Sequence, residues 1–123
     1  MSFSVLVVDD LEMMRQAITE VLRKNGIRVA GEAYNGRAAV QMYSTLKPDV
    51  VLLDIMMPVM DGLEALRRLK SLDPEAKVIM CSSMNGQKYV LRAIQLGARD
   101  FIVKPFQPQR IVSSVRKAAG KDG

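Results

Sequence analysis

Histidine and tryptophan are absent from this chain of 123 residues, and cysteine occurs only once, at Cys81. The absence of histidine excludes a Ser-His-Asp triad and a Cys-His pair, and the remaining thiol is too little for a zinc site. A single cysteine also excludes an internal disulfide bond and is typical of proteins from a reducing compartment. We expect Cys81 to be a buried, inert thiol.

The chain also lacks long apolar runs and a secretory leader. Its apolar stretches are far too short to cross a bilayer, and no basic, apolar and small-residue segment follows Met1. With 49% apolar residues, a chain of this length has enough apolar side chains for one core. We therefore expect a single domain over residues 1–123 of a soluble cytoplasmic protein, with residues 121–123 as a frayed tail.

Basic residues outnumber acidic ones, but they are dispersed along the chain. The formal net charge is +5, no run of five or more basic residues occurs, and only three Phe and three Tyr accompany them. A nucleic-acid interface usually shows a concentrated basic patch. The charge therefore favours a basic face for an acidic protein partner, and nucleic-acid binding is not expected.

Short β-branched runs alternate with segments whose apolar residues have helical spacing. The second run is more polar and is expected at an edge of the sheet, whereas the third is the most apolar and is expected at its centre. Five strands alternating with five helices predict an α/β fold, (βα)5, in which helices cover both faces of a parallel sheet. The predicted strands are Val5–Val8, Ile27–Ala33, Val50–Leu53, Val78–Cys81 and Phe101–Val103.

Charged residues follow three of these strands. Asp9 and Asp10 follow the first, Asp54 follows the third, and Lys104 and Pro105 follow the fifth. The carboxyl ends of parallel strands meet at one edge of the sheet, where ligands of such folds bind. Three carboxylates in a partly dry cleft repel one another and require positive partners, which Mg²⁺ and Lys104 would supply. Asp9 and Asp10 alone could simply cap a helix, but Asp54 at a matching strand end favours a metal site.

Asp54 is the candidate nucleophile, because a carboxylate can attack phosphorus and form an acyl phosphate. Lys104 would add a mobile positive group, and the Ser82 hydroxyl at the end of the fourth strand can reach the same edge. Considered singly, Lys104 could be an ordinary surface lysine and Ser82 a loop-initiating serine.

Taken together, these motifs resemble the receiver domain of two-component response regulators. The resemblance covers almost the whole chain and implies the flavodoxin-like (βα)5 fold with strand order 2-1-3-4-5. It also implies that Asp54 accepts a phosphoryl group from a histidine kinase. The motifs, in chain order, are Val7-Val8-Asp9-Asp10, Leu53-Asp54-Ile55-Met56-Met57-Pro58, Asp61-Gly62, Cys81-Ser82 and Lys104-Pro105-Phe106.

For the metal, the resemblance implies Mg²⁺ bound directly by Asp10 and Asp54, by the backbone carbonyl of Met56, and through water by Asp9. It further implies that side chains flanking the site tune the rate of dephosphorylation. Ser83 stands where family members usually carry Ala or Gly, and Met56 and Met84 flank the site. Because two bulky apolar groups would screen water, we expect a fairly long-lived phosphoryl form.

The resemblance also implies a switch. Lys104 and Ser82 would stabilise the phosphoryl group, Ser82 and Phe101 would move together on phosphorylation, and the Lys104–Pro105 bond would be cis. The output surface would be formed by the fourth helix, the fifth strand and the fifth helix. Positive charge there could come from Lys88, Arg92 and Arg99.

Within the family, the chain is most similar to the stand-alone receivers of bacterial chemotaxis. This implies as partners a chemotaxis-type histidine kinase, the flagellar motor switch or another output protein, and a phosphatase. We expect a monomer that binds no membrane, and a phosphoacceptor switch with slow autodephosphorylation rather than an enzyme. One alternative is a receiver excised from a DNA-binding transcriptional regulator. Another is a phosphohydrolase with an Asp nucleophile, but Asp9 is followed by Asp10 and Leu11, with no general acid two residues on.

Overall fold

The computed structural model describes residues 3–120, in which five strands alternate with five helices. All neighbouring strands pair in parallel, and the sheet order is β2-β1-β3-β4-β5. The predicted α/β fold and strand order are therefore confirmed, with the second strand at an edge and the third at the centre. The strands are β1 Ser4–Val8, β2 Arg28–Ala33, β3 Val50–Leu53, β4 Val78–Ser82 and β5 Asp100–Val103.

Two of the helices begin at a side chain that accepts a hydrogen bond from one of their free N–H groups. The side chain of Asn35 accepts from the Ala38 N–H, and that of Asp61 accepts from the Glu64 N–H. Pro108 occupies the first turn of the last helix, where its missing N–H costs nothing. The helices are α1 Glu12–Lys24, α2 Gly36–Leu46, α3 Gly62–Leu72, α4 Gln87–Gln95 and α5 Pro108–Ala118.

The sheet separates two apolar cores, because successive side chains of a strand point to opposite faces. In β1, Leu6 and Val8 pack in the core that α2, α3 and α4 cover, whereas Val5 and Val7 pack in the core that α1 and α5 cover. Burial on both faces explains why β1, β3 and β4 are apolar along most of their length. Functional groups are therefore expected at the strand ends rather than on the faces.

Among residues 3–120, no helix has both the length and the apolar character that crossing a bilayer requires. The expected frayed tail at 121–123 lies outside the residues that the structure describes.

Candidate functional site

Three strand ends bring the predicted charged residues to one place. Val8 and Leu53 are paired in register on adjacent strands, so the residues that follow them, Asp9 and Asp54, emerge side by side. The Asp54 N–H also donates to the Val8 carbonyl, over 3.1 Å, and ties the two strand ends together. Lys104 follows β5, two strands from β3, and its long side chain spans that gap.

The ammonium group of Lys104 lies between two carboxylates. Its Nζ is 2.5 Å from Asp9 Oδ2 and 3.2 Å from Asp54 Oδ2. The side chains of Lys104, Asp9 and Asp54 are only 10%, 1% and 8% exposed, so these charges are largely removed from water. Burial lowers the pKa of Lys104, but the two carboxylates outweigh it and hold that pKa above its usual value. An ordinary surface lysine is thereby excluded.

Asp10 completes an acidic cluster with Asp9 and Asp54. One carboxylate oxygen from each lies within 4.8 Å of the other two, and Asp10 is the exposed member. With all groups ionised, three carboxylates face the single ammonium of Lys104, which leaves a net charge of −2. Hard oxygen ligands with an uncompensated double negative charge and one solvent-facing side fit a partly hydrated Mg²⁺.

The backbone around the two buried carboxylates holds them in fixed orientations. The Leu11 N–H donates to Asp9 Oδ1 over 3.0 Å, and the Ile55 N–H donates to Asp54 Oδ1 over 2.7 Å. Each carboxylate thus uses one oxygen for its own loop and turns the other toward Lys104. Asp54 Oδ2 is therefore the carboxylate oxygen that faces the Lys104 ammonium.

Gly62 supports the site in a way that sequence reasoning missed. A Cβ at this position would lie 1.9 Å from the carbonyl oxygen of Asp54, and the Gly62 N–H donates to the Ile55 carbonyl over 2.7 Å. The start of α3 therefore packs directly against the backbone of Asp54. The only signal in the sequence was the Asp61-Gly62 pair, which by itself indicates a turn.

Ser82 and Phe101 lie on the same face of the sheet. Met80 pairs with Phe101, and Ser82, two residues after Met80, pairs with Val103. Ser82 is fully buried, and its hydroxyl accepts from the Met84 N–H over 3.1 Å rather than bonding to Asp54. Phe101 is half-buried and packs against the core beneath α4.

The remaining predicted positions surround the cluster. Met56 is 60% exposed, and in residues 3–120 its carbonyl accepts no hydrogen bond, so this oxygen is free to bind a ligand. Ser83 is exposed and Met84 is half-buried. The Lys104–Pro105 peptide bond is cis.

Cys81 lies on β4 directly before Ser82, with its side chain in the other core. Burial raises the pKa of its thiol to about 12. At neutral pH the side chain is therefore an uncharged thiol rather than a reactive thiolate, as expected from the sequence.

Two cavities lie away from the acidic cluster. One of about 460 Å³ lies where α2 and α3 end, and its lining includes Tyr43, Lys47 and Leu72. Another of about 200 Å³ lies between β5 and α5, beside Arg99 and Ser114. Neither is lined by a residue of the cluster.

Comparison with known proteins identifies the family to which the chain belongs. The model of the response regulator receiver domain family matches residues 5–116. The chemotaxis protein CheY of Thermotoga maritima is 50% identical over 115 residues, which cover 94% of this chain and 96% of that protein.

Two solved structures have the same fold. A chain from the CheX-CheY-BeF3-Mg²⁺ complex of Borrelia burgdorferi is 33% identical with a TM-score of 0.91, and the match covers 94% of this chain and 87% of that one. The receiver domain of the response regulator NarL from Mycobacterium tuberculosis is 32% identical with a TM-score of 0.92 and 97% coverage of both chains. The chain therefore belongs to the response regulator receiver domain family, the phosphoacceptors of two-component signalling.

Proposed function

We propose that Asp54 is the phosphoacceptor of this receiver domain. A carboxylate oxygen of Asp54 attacks the phosphorus of a phosphohistidine in a histidine kinase, the new O–P bond forms, and the P–N bond breaks. The departing imidazole takes up a proton. The observation that carries this proposal is the position of Asp54, buried and in contact with Lys104 at the centre of the acidic cluster.

Lys104 is suited to follow the transferred group. Its Nζ already contacts Asp54 Oδ2, so a phosphoryl group on that carboxylate would carry its oxygens within reach of the ammonium. The Asp9 carboxylate holds the other side of the ammonium and keeps it beside the acceptor. The protein thus supplies positioning and charge stabilisation, which are the main requirements of phosphoryl transfer.

Mg²⁺ is the proposed cofactor, held by Asp10, Asp54 and the Met56 carbonyl, and through water by Asp9. When bound, the ion would neutralise the excess negative charge of the cluster and that of the phosphoryl oxygens. The free Met56 carbonyl and the exposed face of Asp10 support this ligand set. The CheY complex of Borrelia burgdorferi is described as containing Mg²⁺ and BeF3.

Ser82 and Phe101 form the proposed switch. On phosphorylation the Ser82 hydroxyl would exchange the Met84 N–H for a phosphoryl oxygen, and the half-buried Phe101 ring would follow it inward. The surface formed by α4, β5 and α5 would then bind an output protein. Leu91, Ile94 and Val103 are exposed apolar side chains on this surface and support that role.

The proposed setting is chemotaxis in the cytoplasm. A CheA-like kinase would phosphorylate this single domain of 1–123, a flagellar motor switch protein would receive the signal, and a phosphatase would end it. The 50% identity to a CheY protein over nearly its full length supports this setting. The domain would act as a monomeric switch rather than as an enzyme, with slow loss of its own phosphoryl group.

A second candidate is a receiver that regulates transcription. The likeness to the NarL receiver domain supports it, because that match is as complete as the match to CheY. A phosphorylation-dependent complex with a motor switch protein would favour chemotaxis. Absence of that complex, together with DNA binding by a longer chain that contains this domain, would favour regulation of transcription.

The test of phosphorylation is an intact-mass measurement with acetyl phosphate, with and without Mg²⁺. We expect a single Mg²⁺-dependent phosphate adduct on the wild type and no adduct on Asp54→Asn. Asp100→Asn is the control, because it makes the same substitution at an aspartate away from the cluster, and it should form the adduct as the wild type does. An adduct on Asp54→Asn would refute the assignment. Repeated turnover of small phosphomonoesters would instead establish a phosphohydrolase.

A further inference from the structure

Arg15, in the first turns of α1, reaches back to the end of β1. Its Nη1 donates to the backbone carbonyl of Asp9 over 2.7 Å, and its Nε lies 3.3 Å from Glu32 Oε1 on β2. The side chain is only 16% exposed. Arg15 therefore joins α1, the end of β1 and β2 next to the acidic cluster, although neither its position nor its charge is used by the proposed phosphoryl transfer.

The contact matters because of Asp10. Within residues 3–120, the carboxylate of Asp10 has no hydrogen bond or ion pair, so its position depends on the backbone that carries it. Three hydrogen bonds hold that backbone: Asp9 N–H to the Ala33 carbonyl, Leu11 N–H to Asp9 Oδ1, and Arg15 to the Asp9 carbonyl. The last of these fixes the peptide group that links Asp9 to Asp10.

We propose that Arg15 is a positioning residue for the metal site, acting on Asp10 through the Asp9–Asp10 peptide group. This inference rests on the Mg²⁺ site proposed above and extends it to a residue outside the ligand set. Glu32 holds the other side of the guanidinium and keeps it from swinging into solvent. Residues that orient metal ligands in this way commonly change metal affinity about 10- to 100-fold when they are removed.

Simple electrostatics makes the opposite prediction. Arg15 is a positive charge beside an acidic cluster, and its removal would also leave the negative charge of Glu32 unpaired. The loss of this one positive charge would make the region more negative and would strengthen cation binding. The sign of the change in Mg²⁺ affinity therefore separates positioning from a mere charge effect.

The experiment is a calorimetric titration of the full chain with Mg²⁺ at constant ionic strength, well below the melting temperature of each variant. We expect Arg15→Ala to bind Mg²⁺ at least about tenfold more weakly than the wild type. Arg15→Lys, which can still donate to the Asp9 carbonyl, should recover part of the loss. Because a stability defect alone does not change the affinity of the folded protein, this readout excludes a purely structural role.

Glu32→Gln is the matched control. It removes the negative charge but keeps a side-chain oxygen that can accept from Arg15 Nε, so Arg15 stays in place beside the Asp9 carbonyl. We therefore expect Mg²⁺ affinity within about threefold of the wild type. Unchanged or tighter binding by Arg15→Ala would overturn the proposal, as would an equal loss in Glu32→Gln. Absence of Mg²⁺ binding by the wild type would refute the metal site itself, and with it the role of Arg15.

Discussion

Two ionic clusters of this molecule use similar groups in different proportions. At the carboxyl edge of the sheet, Lys104 faces Asp9 and Asp54, and Asp10 adds a third carboxylate. At the start of β5, the single carboxylate of Asp100 accepts two hydrogen bonds from Arg110 and one each from the Ser114 hydroxyl and the Phe101 N–H. The second cluster is balanced, because it has one positive and one negative side chain, whereas the first has three negative side chains and one positive.

This difference distinguishes a structural ion pair from a functional one. Arg110 and its partners satisfy the Asp100 carboxylate and connect β5 to α5, so any change to that cluster removes stabilising contacts. The carboxyl edge keeps more negative charge than the protein itself compensates. Its missing positive charge is the part that we assign to Mg²⁺.

Replacement of the basic side chain should cost more stability at the carboxyl edge than at the balanced cluster. We expect Lys104→Met to lower the free energy of unfolding by about 3 kcal/mol without Mg²⁺, because it leaves buried carboxylates unpaired. Arg110→Met should cost only about 1 kcal/mol, since that side chain is 44% exposed. Urea unfolding followed by circular dichroism measures both. Mg²⁺ should restore much of the loss in Lys104→Met, and equal losses in the two variants would contradict the comparison.

The same change of Asp to Asn should have opposite effects in the two clusters. Without Mg²⁺, we expect Asp10→Asn to raise the free energy of unfolding by roughly 1 kcal/mol, because it relieves repulsion among the carboxylates. Asp100→Asn should lower it by about 1 kcal/mol, because it weakens the bonds to Arg110 and Ser114.

Thermal melts with and without Mg²⁺ complete this test. Mg²⁺ should raise the melting temperature of the wild type and of Asp100→Asn, but should barely affect Asp10→Asn. A fall in stability for both variants without Mg²⁺ would mean that the carboxyl edge carries no excess negative charge.

The balanced cluster should also determine part of the stability lost in acid. The Arg110 guanidinium, with help from Ser114 and the Phe101 N–H, holds the pKa of Asp100 well below its usual range, against the opposing effect of burial. A lowered native pKa stabilises the fold above the unfolded value of about 3.9, and this contribution is lost as the pH falls toward the native value. The stabilities of wild type and Asp100→Asn should therefore differ by a constant amount above about pH 5 and converge below about pH 4. Parallel curves down to pH 2 would contradict this.

The smallest effect concerns backbone strain beside the acidic cluster. Val59, in the loop between β3 and α3, is β-branched and 76% exposed, yet its φ is 70°, in the left-handed region. Val59→Gly should relieve that strain and raise the free energy of unfolding by about 0.5 kcal/mol after the entropy of glycine is counted. Lys47→Gly, at φ 48° but remote from the cluster and without a β-branch, should gain less. A loss of stability in Val59→Gly would show that its side chain contributes packing that outweighs the strain.

Much of this architecture follows from local sequence. The run Val50–Leu53 is a strand with the predicted bounds, and the other strands differ from prediction by one residue at an end. Tertiary packing does not override the short-range signals here. These signals are apolar runs that end in Asp, an Asn-Gly pair after a helix, and a Pro at the start of one. The grouping of Asp9, Asp54 and Lys104 then follows from parallel strand pairing alone.

The remaining features depend on distances that a sequence does not contain. Nothing in the pattern indicates that Lys104 would contact Asp9 more closely than Asp54, or that Arg15 would turn back to the Asp9 carbonyl. Gly62 looked like an ordinary turn residue, and its close approach to Asp54 depends on where α3 enters the sheet. Packing sets the conformations of long side chains and the angles at which helices meet the sheet. The contacts of these side chains and helices are therefore known only from the three-dimensional structure.

The most direct test of the account is a crystal structure of the wild type with Mg²⁺ and beryllium fluoride. We expect the fluoride adduct on Asp54, with Lys104 and Ser82 turned toward it, and an ion about 2.1 Å from oxygens of Asp10, Asp54 and the Met56 carbonyl. An adduct on another carboxylate, or an ion bound away from Asp10 and Asp54, would contradict the claim that the uncompensated charge at this edge forms the phosphorylation site.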